Sequence, residues 1–195
     1  DAMEADRIAA TLAFLREAER LKDVLRSGRT SGGRPESTAE HTWRLCLMVM
    51  VFADGLPGID LSRLLRICIV HDLGEALSGD VPAIDQTPDD RRAARERADL
   101  ARLAAPLPAG IRGEILSLAA EYEAGETPEA QLAKGFDKLE TLLQHSQGAN
   151  GPGFDYAFNL DYGRARTDAH PLLAAIRERI DAATRARIGD SAPQE

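Results

Sequence analysis

The chain has 195 residues, about one domain of ordinary size, and at this length a fold buries roughly 70% of the unfolded surface without staples. Hydrophobic residues make up 44% and charged residues 29%, which excludes disorder over most of the chain. A net charge of −8 argues against a nucleic-acid-binding or anionic-membrane surface, which needs a basic face, and leaves room for a small anionic ligand held by one or two arginines. The two cysteines, Cys46 and Cys68, are too few for a disulfide scaffold or a Cys-only zinc site; set among apolar residues, they read as buried reduced thiols of a cytoplasmic protein. The longest apolar run, Leu45 to Ala53, is far short of the ~20 residues that span a bilayer. The acidic N-terminus carries no signal-peptide pattern, and Met3 is read as a native start.

Helical spacing runs through the chain. Ile8, Leu12, Leu15 and the Leu21/Leu25 pair predict a first helix over about 4–27, broken by Ser27-Gly28 and Ser31-Gly32-Gly33. A second helix is expected over 37–54, with Leu45, Met48, Val49 and Phe52 inward, and Pro57-Gly58 ends it. Capped by Asp60 or Ser62, a third helix is predicted to continue to Leu77, apolar nearly all round and therefore central to a bundle. Residues 88–104 read as a helix with a solvated charged face. Helices over 108–124, 127–147 and 171–188 follow, with a Gly- and aromatic-rich loop over 148–162 and a frayed tail after Gly189. Strand signals are nearly absent. The expectation is one compact all-α domain over 1–195, of six or seven helices, with its core at about 8–188.

The third helix carries the chemistry. A segment this apolar ends in His71-Asp72 followed by Glu75, and buried charges are costly unless paired or metal-bound. At ~100° per residue the three share an arc about 100° wide. The second helix begins with Glu40-His41 just ahead of its own apolar stripe. His145 and His170 have no such surroundings and read as structural or exposed. For Arg26 a plain helix C-terminal cation, and for Asp80 a turn residue in Ser-Gly-Asp, are the simpler readings. Gly74 either clears space above a metal or allows close helix packing, and Trp43 is expected in the core.

Four segments then stand in order: Pro35-Glu-Ser-Thr-Ala-Glu-His41, His71-Asp-Leu-Gly-Glu-Ala-Leu-Ser-Gly-Asp80, Glu121-Tyr-Glu-Ala-Gly-Glu-Thr-Pro-Glu-Ala130 and Phe136-Asp-Lys-Leu-Glu140. With them the sequence resembles the HD-domain superfamily of metal-dependent phosphohydrolases, and within it the single-domain 5′-deoxynucleotidases. The resemblance implies an HD-domain helical bundle in which His41, His71, Asp72 and Asp137 ligate one divalent ion (Mn, Co, Fe, Zn or Mg). It makes Glu75 the residue handling the nucleophilic water or the leaving-group proton, Arg26 the phosphate-binding arginine, and Asp80 an acid near the sugar or the water. Asp137 rests on the resemblance alone, since it lies roughly 130° from the stripe of Leu132, Phe136, Leu139 and Leu143 and so faces solvent by periodicity. The implied substrate is a deoxyribonucleoside 5′-monophosphate, and the implied assembly a homodimer. An HD-domain phosphodiesterase and a non-catalytic nucleotide sensor are the alternatives. A di-iron oxygenase on the same scaffold lacks the extra histidines it would need, since none lies between His71 and His145.

Overall fold

The computed structural model describes residues 1–88 and 91–190. Within them lie ten α-helical segments, seven of which have ten residues or more, and one two-stranded sheet. The helical bundle is as expected. No helix among the described residues is long and apolar enough to cross a membrane.

The first helix, α1, covers Ala2–Ala18, and residues 19–23 tighten into a 3₁₀ turn. The chain then turns extended, contrary to the predicted helix over 4–27. Leu25–Arg29 (β1) pairs antiparallel with Pro35–Ser37 (β2), with Leu25 opposite Ser37. Arg26 is thus a strand residue and not a helix-terminal cation. Strands of five and three residues are too short to show alternation. The Ser31–Gly33 turn, with Gly33 at φ 89°, lets them pair.

Helix α2 spans Thr38–Val51 and opens with a capping box: Ser37 accepts from Glu40 N–H, and the Glu40 carboxylate accepts from Ser37 N–H. Helix α3 covers Leu61–Val70, and α4 covers Glu75–Ser78. The continuous helix expected to Leu77 is therefore interrupted. Between the two, Leu73 and Glu75 donate to the carbonyls three residues back, on Val70 and Asp72, so the path tightens into a turn. This turn, not one continuous helix face, presents His71 and Asp72, and Glu75 opens α4 directly after it. Nor is α3 apolar-buried all round, since Ile69 is exposed.

Four long helices beyond Gln86, with a short pair among them, complete the fold. These are α5 (Arg92–Ala104), α6 (Ala109–Ala124), α7 (Pro128–Gln147), the four-residue α8 (Phe158–Asp161) and α9 (Arg164–Thr167), and α10 (Pro171–Asp190). The segment read as a loop over 148–162 thus contains a helical turn. Helix α10 extends through Gly189 to Asp190, and the expected fray over 191–195 lies outside the described residues.

Helix α7 is the axis of the bundle. It starts at a Thr127 cap with Pro128 in its first turn, and twelve of its twenty residues are buried. Phe136, Leu139 and Leu142 meet Leu45 and Val49 of α2 and Leu64, Ile67 and Cys68 of α3 in one core. Helix α10 fixes the opposite wall through Arg177, which is 1% exposed. Its guanidinium donates to the carbonyls of Asn159, Leu160 and Tyr162 and pairs with Asp181. One buried cation thereby satisfies the irregular backbone around α8.

Two other expectations change. Trp43 is 64% exposed on α2 instead of in the core. A Cβ on Gly74 would stand 2.7 Å from the backbone oxygen of Glu96, so this glycine serves the close approach of α5. Both cysteines are free, Cys68 buried and Cys46 half-buried.

Candidate metal centre and substrate cavity

Three elements bring the predicted metal ligands together. The first turn of α2 supplies His41, which is fully buried; the α3–α4 turn supplies His71 and Asp72; α7 supplies Asp137. His41 Nε2 lies 2.8 Å from Asp137 Oδ1, and His71 Nε2 lies 3.3 Å from the same oxygen and 2.9 Å from Asp72 Oδ2. One ligand atom from each of the four residues falls within 4.8 Å of every other. The solvent-facing position expected of Asp137 from periodicity is not found: on a helix buried on most sides, the residue opposite the stripe is buried too.

The charges explain how such a cluster is tolerated. Against the cost of burial, Asp72 and Asp137 hold His71 well above the usual imidazole range. Burial and Arg26 oppose protonation of His41, yet hydrogen bonds to Asp137 and Glu140 raise it. Asp137 is held well below the usual carboxylate range, despite burial, by Lys138 and the two imidazoles. The buried imidazoles and carboxylates thus stabilise one another's charged forms. A cation among the same atoms would take the place of imidazole protons, so the donor set fits a divalent ion.

Arg26 of β1 reaches this cluster from the side. Its Nη2 donates to Thr141 Oγ1 at 3.0 Å, and its Nη1 lies 3.9 Å from both Asp72 Oδ2 and Asp80 Oδ1. Glu75 is 5% exposed and accepts from Thr38 Oγ1 at 3.1 Å. Burial first, then Asp72 and Asp80, push its carboxyl up to about 10, so it carries a proton at neutral pH. Burial likewise raises Asp80, against the pull of Arg26. Asp80 follows Gly79, whose φ of 80° ends α4 and turns the chain toward Arg26.

These groups line a cavity of about 650 Å³, walled on the far side by Phe154, Phe158, Tyr162 and His145. Three aromatics of the 148–162 segment therefore face this space, with Phe158 and Tyr162 stacked at 5.7 Å, while Tyr156 is buried against Phe154 and Arg187. The Nδ1 of His145 meets Asn159 Nδ2 at 3.1 Å, and burial followed by Arg26 lowers it to about 4. His170 accepts from Leu172 N–H at the start of α10. Arg92 and Arg97 of the charged α5 also reach the cavity, beyond the solvated face expected there.

Several site neighbours escaped the sequence reading. Tyr122 and Lys138 both donate to Asp137 Oδ2 at 3.3 Å, and Glu140 takes the second nitrogen of His41. All three lie inside the segments quoted for the resemblance, which was their only signal.

Known proteins resemble this chain to different extents. The family model described as HD domain matches residues 18–177. The chain is 34% identical to the 5'-deoxynucleotidase HDDC2 of Homo sapiens over 138 residues, covering 70% of this chain and 67% of that protein. It is 30% identical to 5'-deoxynucleotidase HDDC2 of Bos taurus over 188 residues, covering 94% and 90%. A crystal structure of a predicted metal-dependent phosphohydrolase from Magnetospirillum magnetotacticum superposes with a TM-score of 0.77 at 29% identity, covering 95% of this chain and 93% of that one.

Proposed function

The chain belongs to the HD domain family, and from that premise we propose that it is a metal-dependent phosphohydrolase acting as a 5′-deoxynucleotidase. It converts deoxyribonucleoside 5′-monophosphates to nucleoside and inorganic phosphate. The observation that carries this reading is the convergence of His41, His71, Asp72 and Asp137, the last three of which line a cavity large enough for a nucleotide.

His41 and His71 through Nε2, with Asp72 and Asp137, would hold one divalent ion. When bound, the ion supplies Lewis-acid polarisation of a phosphoryl oxygen and acidifies water. A mixed imidazole and carboxylate set suits Mn²⁺, Co²⁺, Fe²⁺ or Zn²⁺, with Mg²⁺ the hard-ligand option. Arg26 binds the phosphate through its planar guanidinium, which Thr141 holds in place. Glu75 manages the proton: the bond from water oxygen to phosphorus forms, the P–O5′ bond breaks, and the departing oxygen needs a proton. Asp80, set beside Arg26, orients the sugar or the attacking water.

The partner is a small nucleotide, not nucleic acid or a membrane surface, in keeping with the charge of −8. The whole chain acts as one domain. Two free cysteines support a cytoplasmic site of action. A homodimer is supported by apolar stripes left exposed on two helices: Ile8, Leu12 and Leu15 on α1, and Trp43, Leu47 and Met50 on α2. Sedimentation at micromolar concentration measures that state.

The activity is tested by phosphate release from a panel of deoxy- and ribonucleoside 5′-monophosphates. Metal-stripped protein is resupplied with each ion, with His71→Ala and Glu75→Ala as controls. Metal-dependent release, lost in both variants, is the expected result. No release from any monophosphate despite a bound ion would redirect the reading to phosphodiesters or a sensor.

A further inference from the structure

We propose that Glu140 is the positioning residue for His41: it accepts a hydrogen bond from Nδ1–H and so presents the Nε2 lone pair to the ion. The inference rests on the metal-site reading above. His41 is 0% exposed and Glu140 1%, and Nδ1 of the first is hydrogen-bonded to Oε2 of the second. The other oxygen, Oε1, accepts from Arg44 Nε at 2.8 Å. Arg44 is itself fixed by Gln144 at 2.8 Å and Gln147 at 2.7 Å, so its fork is spent along one face of α7. His71 has a simpler arrangement, with its Nδ1 2.6 Å from the backbone oxygen of Cys68. Each imidazole thus has its rear nitrogen assigned and its Nε2 aimed at Asp137. Only His41 is backed by a carboxylate, which makes its ring the more basic donor.

Glu36, His41 and Glu140 also bring ligand atoms within 4.8 Å of one another, and Glu36 Oε1 has no hydrogen-bond partner. A cation there would need the Nδ1 lone pair while Nε2 serves the first site, leaving an imidazolate. The Arg44 guanidinium already sits on Glu140. A proton kept on Nδ1 and donated in a hydrogen bond to Glu140 leaves the ring neutral and its Nε2 lone pair free for the first site.

Zn²⁺ titration of the metal-stripped full chain against a competing chelator, with melting curves of the metal-free proteins, tests this. Compared are the wild type, Glu140→Gln and Arg44→Met. The expected result is one ion per chain, bound about 10–100-fold more weakly by Glu140→Gln and several-fold more weakly by Arg44→Met. A purely structural role would lower the melting temperature and leave affinity unchanged, and that result overturns the proposal. Two ions per wild-type chain, one lost in Glu140→Gln, would make Glu140 a ligand and also overturn it. Absence of any binding by the wild type would defeat the metal reading itself. If Glu140→Gln does not fold, Arg44→Met decides: weaker binding supports the relay, and unchanged affinity ends it.

Discussion

His41 Nε2 and Asp137 Oδ1 stand 2.8 Å apart although 96 positions separate the two residues. The contact ties the first turn of α2 to the middle of α7. It is flanked by the Lys138 and Tyr122 contacts on the other oxygen of Asp137 and by the Glu140 contact on the other nitrogen of His41. Each atom of the pair is therefore directed by a second partner, which is what a site needs to hold an ion at fixed geometry.

Glu75 trades stability for function. Its carboxyl is raised from 4.5 to about 10 by burial and its acidic neighbours. A raised folded-state value means the stabilising contribution is complete below about 4.5 and fades as pH rises toward 10. At neutral pH the folded metal-free chain must keep a proton that the unfolded chain releases. Glu75→Gln removes that cost, and metal-stripped protein should gain about 2 kcal/mol in denaturant unfolding at pH 7.5. Turnover should fall roughly 10²–10⁴-fold. A destabilised variant would contradict the buried-acid account.

Arg26 is held by one hydroxyl and surrounded by Asp72, Asp80 and Glu36. Lysine keeps the charge and loses the fork. Arg26→Lys should lower kcat/KM about 10–100-fold, the worth of a charged hydrogen bond, without changing metal affinity by as much. Equal loss of metal binding would place Arg26 in the scaffold of the metal site.

His145 dictates part of the acid sensitivity. Its value falls from 6.5 to about 4 through burial and the nearby Arg26. The unfolded chain therefore takes up a proton between pH 6.5 and 4 that the folded chain refuses. The stability contribution is complete above 6.5 and is lost as pH falls through this window, up to about 3 kcal/mol. Urea unfolding across pH 4–7 should show a steeper decline in the wild type than in His145→Gln. Parallel curves would rule this out.

Two glycines separate steric need from helix propensity. Gly74 lies against the Glu96 backbone, and Gly113 on α6 faces open space. Gly74→Ala should destabilise by about 1–3 kcal/mol, because backbone must move. Gly113→Ala should stabilise by about 0.5–1 kcal/mol. Thermal melts of the two variants give the signs directly.

The long helices were legible because their apolar spacing and caps agree: Ser37 with Glu40 for α2, and Thr127 with Pro128 for α7. The strand bearing Arg26 was not, since five residues paired with three leave no periodic trace, and helix-compatible spacing at Leu21 and Leu25 ran straight through it. His71, Asp72 and Glu75 stood out as charges at the end of an apolar helix, but a one-helix arc does not describe the turn that presents the first two and the short helix that begins at the third. Asp137 and Glu140 were hidden for the opposite reason. On a central helix, polar residues opposite the main stripe face other helices, and only a known family pattern or the assembled fold distinguishes them from a solvated face.

The most direct measurement is divalent-ion content set beside phosphate release from a deoxyribonucleoside 5′-monophosphate, in the wild type, His71→Ala and Asp137→Asn. The account predicts one ion per wild-type chain, activity proportional to occupancy, and loss of both in the two variants. Full phosphate release from metal-free protein, or from Asp137→Asn without its ion, would contradict it.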